Sequence, residues 1–388
     1  MNRSKPTINE RKQVLLNKII QHPLDFTDHD FQVLVSKRID LKFSDLRQLL
    51  TRIFDINENT LSQQSDATTG MLGFMNKWST KLRQRHYYSL IKGGFRDYNN
   101  PGNKHNKVIV AEGDSWFQFP FFIKDIIDWL TDDPKYAVYS IAYGGDWFAN
   151  ILYEEKYIEE LSIHLPEVFL ISAGGNDFVG SNRVAIMVRN DGQEQMRKPE
   201  QLATMLAGEK EEAAIREGYR WVNLPFYSFI WTLKLQYYIL FRNLHESGKF
   251  KKMQIITQGY DNALPTYKFR WQKWYKLQPL INSILGSGQW LKQPLMLKGI
   301  SDPEKSKNII KALIFEINYM FSELAQLFPN VYHIDCRGTA RNFDDWFDEI
   351  HLHSERFRLI AETYKYCIEQ RPLEKVIKAV NFGSRIEA

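Results

Sequence analysis

Five short apolar runs, each closed within a few residues by glycine, are spaced along the chain after residue 107 with room for a helix between them. They are Val108-Ile109-Val110-Ala111 before Gly113, Ala137-Val138-Tyr139-Ser140-Ile141 before Gly144-Gly145, Val168-Phe169-Leu170-Ile171-Ser172 before Gly174-Gly175, Met253-Gln254-Ile255-Ile256-Thr257 before Gly259, and Val331-Tyr332-His333-Ile334-Asp335 before Gly338. A strand with one wet face alternates apolar and polar residues, whereas a continuous apolar run belongs to a strand covered on both faces. Strands joined by helical crossovers run parallel. The pattern therefore predicts an α/β fold around a five-stranded parallel sheet with helices on both sides.

The first hundred residues follow a different rule. Leu15, Leu16, Ile19 and Ile20 recur at helical spacing, as do Leu46, Leu49, Leu50 and Ile53. Thr27, Asp28 and Asp30 read as cap residues between such segments. Residues 57–69, rich in Ser, Thr, Asn and Gln, read as a linker, an amphipathic helix is expected over Met71 to Ile91, and Asn99-Asn100-Pro101-Gly102-Asn103 breaks the chain. The expected organisation is a helical N-terminal accessory region, residues 1–100, followed by an α/β domain, residues 107–388. A strand order of 2-1-3-4-5 makes that domain a flavodoxin-like three-layer sandwich.

Composition narrows the class of protein. The 388 residues carry a formal net charge of +5, mild for this length, so charge alone gives no argument for nucleic acid. The N-terminus has no apolar core of the signal-peptide kind. The most apolar stretch, Trp221 to Phe241, is interrupted by Asn223, Pro225, Lys234 and Gln236 and is expected to be the helix before the fourth strand. Two thiols, Cys336 and Cys367, make neither a disulfide framework nor a metal site. A cytoplasmic protein is the expectation.

Three segments at the C-terminal ends of predicted strands carry chemistry: Gly113-Asp114-Ser115-Trp116, Gly174-Gly175-Asn176-Asp177 and Asp348-Glu349-Ile350-His351. That edge is where open α/β sheets bind ligands. A serine hydroxyl is a weak nucleophile until a base takes its proton, and His351 is the candidate base. Asp348, three residues earlier, is placed to fix the imidazole tautomer. The tetrahedral oxyanion needs donors, which the Ser115 N–H, an N–H at Gly144 or Gly145, and the Asn176 amide would supply.

These segments resemble the conserved blocks of SGNH (GDSL-type) serine hydrolases. Ala111-Glu112-Gly113-Asp114-Ser115-Trp116 is similar to the first block, Gly144 or Gly145 to the glycine of the second, Gly174-Gly175-Asn176-Asp177 to the third, and Asp348 with His351 to the fifth. All four stand in order over roughly residues 107–370. The resemblance implies hydrolysis of carboxylic acyl esters through an acyl-enzyme, with catalytic Ser115, Asp348 and His351 and with no metal or organic cofactor. Residues 1–106 lie outside it. Two rival readings are an inactive scaffold used for binding or signalling and an acyltransferase.

Each motif also has a plainer reading. Gly113-Asp114-Ser115 and Gly174-Gly175-Asn176-Asp177 are acceptable turns with helix caps, and Asp348 with His351 an acceptable surface pair. Two segments free of acidic residues mix bases with aromatics. One holds Lys77, Trp78, Lys81, Arg83, Arg85, Tyr87, Tyr88, Lys92 and Arg96; the other Tyr267, Lys268, Phe269, Arg270, Trp271, Lys273, Trp274, Tyr275 and Lys276. Solvated faces account for both, and an anionic lipid or membrane surface is the next reading. Nucleic acid is the least favoured partner. The second segment leaves the rim after Gly259-Tyr260-Asp261, so Trp116, Tyr267, Arg270, Lys273 and Lys276 are the candidate substrate-binding residues. The N-terminal helices are a candidate surface for a protein partner.

Overall fold

A computed structural model describes residues 7–56, 70–91, 106–119, 123–192, 196–265 and 290–382. Its centre is one all-parallel sheet of strands β1 Lys107–Gly113, β2 Tyr136–Ser140, β3 Val168–Ser172, β4 Gln254–Gln258, β5 Val331–Asp335 and β6 Val376–Lys378, in the order β2-β1-β3-β4-β5-β6. The apolar runs became strands because only burial on both sides satisfies them, and every residue of β2, β3, β4 and β5 is buried. In register, Val110 lies between Tyr139 and Phe169, and Gly113 pairs with Ser172. That pairing fixes the point where β1 stops and the Ser115 turn begins.

Among the described residues the expected five strands are six. Strand β6 escaped the sequence because it is three residues long and only its central Ile377 is buried, so no apolar run marks it. It hydrogen-bonds along β5 as an edge strand.

Among the described residues the N-terminal helices are α1 Ile8–Gln21, α2 Asp28–Leu34, α3 Phe43–Phe54 and α4 Gly70–Leu90. Thr7 and Thr27 open α1 and α2 with reciprocal capping boxes, so each start is fixed by its own local sequence. These helices do not stand apart. Leu16, Ile19, Leu34, Leu46 and Leu50 belong to the same hydrophobic core as the sheet. The long helix Leu224–Glu246 receives them: Ser228 Oγ donates to the Ile19 carbonyl at 2.7 Å, and Trp231 Nε1 to that of Pro23 at 3.0 Å. Helix α4 lies against β2, with Tyr87 edge-on to Tyr139. The change near residue 100 is thus one of local pattern, not a border between separate cores. Among the described residues no helix is long and apolar enough to cross a membrane.

Candidate functional site

Strand β1 ends at Gly113, and the chain turns sharply. The Asp114 carbonyl accepts from Phe117 N and Gln118 N, both at 3.0 Å, while its carboxylate accepts from Trp116 N at 3.1 Å. This turn lifts Ser115 half-exposed onto the rim. There its Oγ lies 2.7 Å from His351 Nε2, and His351 Nδ1 lies 2.7 Å from Asp348 Oδ2. With Nδ1–H donating to the carboxylate, Nε2 is left to accept the serine proton. The His351 and Asp348 side chains are 4% and 3% exposed, so water does not compete for these bonds.

Asp348 also builds the turn that carries its partner. Its Oδ1 accepts from Ile350 N and His351 N, both at 2.8 Å, leaving Oδ2 for the ring. The adjacent Glu349 points elsewhere. Its carboxylate accepts from Leu291 N at 2.7 Å and Lys292 N at 3.3 Å, at the start of the helix Lys292–Leu297. The two neighbouring acids therefore have separate tasks, and only Asp348 meets the histidine.

The loops after β2 and β3 sit on the same rim. Asn176 Nδ2 donates to the Asp146 carbonyl at 2.8 Å, which uses one of its two amide hydrogens and ties the loops together. Asp177 accepts from Phe148 N at 2.7 Å and adds a second tie. Among the described residues, the backbone N–H groups of Ser115, Gly144 and Gly145 have no acceptor. A Cβ on Gly144 would lie 2.6 Å from the Gln118 carbonyl, so the β2 loop approaches the serine turn this closely only as glycine. The Gly144 carbonyl is held by Asn76 Nδ2 of α4 at 3.0 Å.

Arg183 braces the Asn176 loop from below. It donates to the carbonyls of Asp177 at 2.8 Å, Asn176 at 3.0 Å and Gly180 at 2.7 Å, and lies 3.4 Å over the Trp147 ring. Burial lowers its affinity for a proton to a pKa of about 10, while the nearby Asp177 carboxylate opposes that shift. On the other side, Tyr260 joins two loops. Its hydroxyl donates to Asp114 Oδ2 at 2.5 Å and accepts from Gly175 N at 2.8 Å. A Cβ on Gly175 would lie 2.7 Å from this phenol. Burial raises the Asp114 carboxyl to about 6, offset by the bonds from Tyr260 and Trp116.

Beside Ser115 opens a pocket of about 30 Å3 lined by Trp116, Asn176, Phe178, Val179, Leu291 and Ile314, among others. Trp116 is 2% exposed, and its indole N–H donates to the Ile350 carbonyl at 3.0 Å, so it acts as a pocket wall. Of the predicted site residues, Ser115, His351 and Asp348 form one hydrogen-bonded chain, and Trp116 and Asn176 border the same pocket. Gly144 and Gly145 occupy the adjoining loop. Tyr267, Arg270, Lys273 and Lys276 lie outside the described residues. His333 is unconnected to the site; it bonds Thr257 and Asn318, and burial pushes it down to about 3, so it is neutral.

Sequence reasoning missed three residues that hold the site: Arg83, Arg183 and Tyr260. Arg83 of α4 donates from Nη1 to the Phe117 carbonyl and Gln118 Oε1, both at 2.6 Å, and from Nη2 to Asp125 at 2.6 Å and Asp128 at 2.7 Å. A signal for it exists: Arg83 shares the helix face of Asn76, Tyr87 and Leu90, all buried. Tyr260 could have been found by its position just past β4, on the ligand-binding rim. No known protein family, curated protein or solved structure matches the chain.

Proposed function

We propose that this chain is a serine hydrolase of the SGNH (GDSL) type that cleaves carboxylic acyl esters through an acyl-enzyme. The observation that carries the reading is the chain from Ser115 Oγ through His351 to Asp348, with both links at 2.7 Å. A flavodoxin-like three-layer arrangement of the parallel sheet and a cytoplasmic location belong to the same reading.

In the proposed reaction His351 Nε2 takes the Ser115 proton as Oγ attacks the ester carbonyl carbon. The carbonyl electrons move onto oxygen, which is met by the Ser115 N–H, an N–H of Gly144 or Gly145, and the second amide hydrogen of Asn176. Asp348 holds the imidazolium that forms. Collapse of the tetrahedral intermediate breaks the bond to the alcohol, which leaves with the proton from His351. Water, deprotonated by the same ring, then attacks the acyl-serine and releases the acid. The pocket beside Ser115 does not include His351 in its lining. Since the leaving alcohol must reach His351, the pocket is assigned to the acyl group.

The test is labelling with a fluorophosphonate together with turnover of p-nitrophenyl acetate. A phosphonyl adduct on Ser115, and loss of both adduct and turnover in Ser115→Ala with an unchanged circular dichroism spectrum, is expected. Turnover by Ser115→Ala at wild-type rate would refute the assignment.

A further inference from the structure

We infer that the outward face of α4 is a docking surface for an anionic lipid bilayer. Helix α4 has 21 residues, none acidic. Its buried residues Asn76, Arg83, Tyr87 and Leu90 face the protein. Opposite them, Phe74 is 66% exposed, Trp78 49% and Leu82 41%, a row at spacing i, i+4, i+8. Lys77, Lys81 and Arg85 are exposed beside that row, and Tyr88 is 42% exposed. At 3.6 residues per turn these seven side chains share an arc of about 140°.

Burial argues that this face has a partner of a particular kind. The inward face already buries Met75, Tyr87 and Leu90 with an arginine and an asparagine, and the helix carries a second apolar row, Phe74, Trp78 and Leu82, on its outward side. A solvated face would carry charges of both signs without large apolar groups between them. Aromatic and leucine side chains interleaved with bases, without acids, are what the headgroup–acyl boundary of an anionic leaflet accommodates: rings enter the boundary and bases stay with the phosphates. A protein groove for the apolar row would not by itself call for three flanking cations. The absence of acids selects a negatively charged surface over a neutral one.

The inward face of α4 says where such docking places the protein. Asn76 holds the Gly144 carbonyl and Arg83 holds the turn after Ser115. The lipid-facing row thus sits on a helix whose other side supports the rim of the candidate site. The docking inference stands independently of the proposed chemistry, because the observations behind it are exposure and charge.

Co-sedimentation of the full chain with vesicles tests it. Binding to phosphatidylcholine vesicles containing phosphatidylserine is expected, with weak binding to pure phosphatidylcholine and with loss at high salt. Each base near such a surface strengthens binding about fivefold, so Lys77→Glu, Lys81→Glu and Arg85→Glu together should weaken it at least a hundredfold. Phe74→Ser, Trp78→Ser and Leu82→Ser together should abolish it. Circular dichroism and the thermal midpoint of both variants are read beside the wild type, so that loss of binding is scored on folded protein. Equal binding to the two vesicle types overturns the proposal. So does unchanged binding by both variants, or a lipid-free dimer that the serine variant alone disrupts, since the face would then be a protein interface.

Discussion

Arg83→Met removes a cation that is 6% exposed while keeping the length of the side-chain stem. Its partner Asp125 is fully buried, and Asp128 is 33% exposed. Breaking a buried ion pair by deleting one partner costs about 3–5 kcal/mol, because the remaining charge is stranded. Two features moderate the loss here. Asp125 retains bonds from Phe119 N, Ile127 N and Asp128 N, and Asp128 can be rehydrated. Against that, the Phe117 carbonyl and Gln118 Oε1 lose their donor, at roughly 1 kcal/mol each. The expected destabilisation is about 4 kcal/mol. With a urea slope of about 3 kcal/mol per M, the midpoint falls by roughly 1.3 M. Arg83→Lys should recover less than half, since an ammonium does not fork to four acceptors. Adding Asp125→Asn to Arg83→Met should cost at least about 2 kcal/mol less than Asp125→Asn alone. A midpoint shift below roughly 0.3 M, or strict additivity in the cycle, would show that Arg83 is merely a solvated base.

Asp348→Asn should lower kcat by about 10⁴ through loss of the correct tautomer, whereas Glu349→Gln, whose partners are Leu291 N and Lys292 N, should leave kcat within about threefold; the reverse ranking in ester turnover would mean the wrong acid was assigned. Burial raises Asp146 to about 7, so the folded chain holds this proton more tightly than the unfolded chain, where the carboxyl titrates near 3.8. Its contribution to stability is present below pH 3.8 and is lost as pH climbs to 7. Asp146→Asn should accordingly stabilise the protein more at pH 8 than at pH 4, as read by thermal midpoint, and an equal gain at both would contradict the assigned cause.

The strands were legible because burial on both faces leaves a one-dimensional mark, a run of apolar residues ending at glycine. The site residues were legible for a related reason: their spacing, Asp348 three before His351, is itself local. What was hidden is what the tertiary structure alone decides. Arg83 reads like its neighbours Lys81 and Arg85 until the sheet places Asp125 and Phe117 against it. Arg183 follows Gly180-Ser181-Asn182 and looks like a solvated turn residue, yet it closes on three carbonyls of its own chain. Strand β6 is held by the register of β5, which no three-residue window announces.

Ser115 and His351 are 236 positions apart in the chain. At about 5–20 residues per second, a ribosome needs roughly 10–50 s to pass from one codon to the other. Throughout that interval Ser115 exists without His351, and the Asp348–His351 turn arrives only after strands β1 to β5 have been made. The helices of residues 8–90 emerge before the sheet on which they rest. A nascent chain that stops before Asp348 therefore lacks the hydrogen-bonded link from Ser115 through His351 to Asp348, and under the proposed reading its capacity to attack an ester would arise in a single late event rather than grow with chain length.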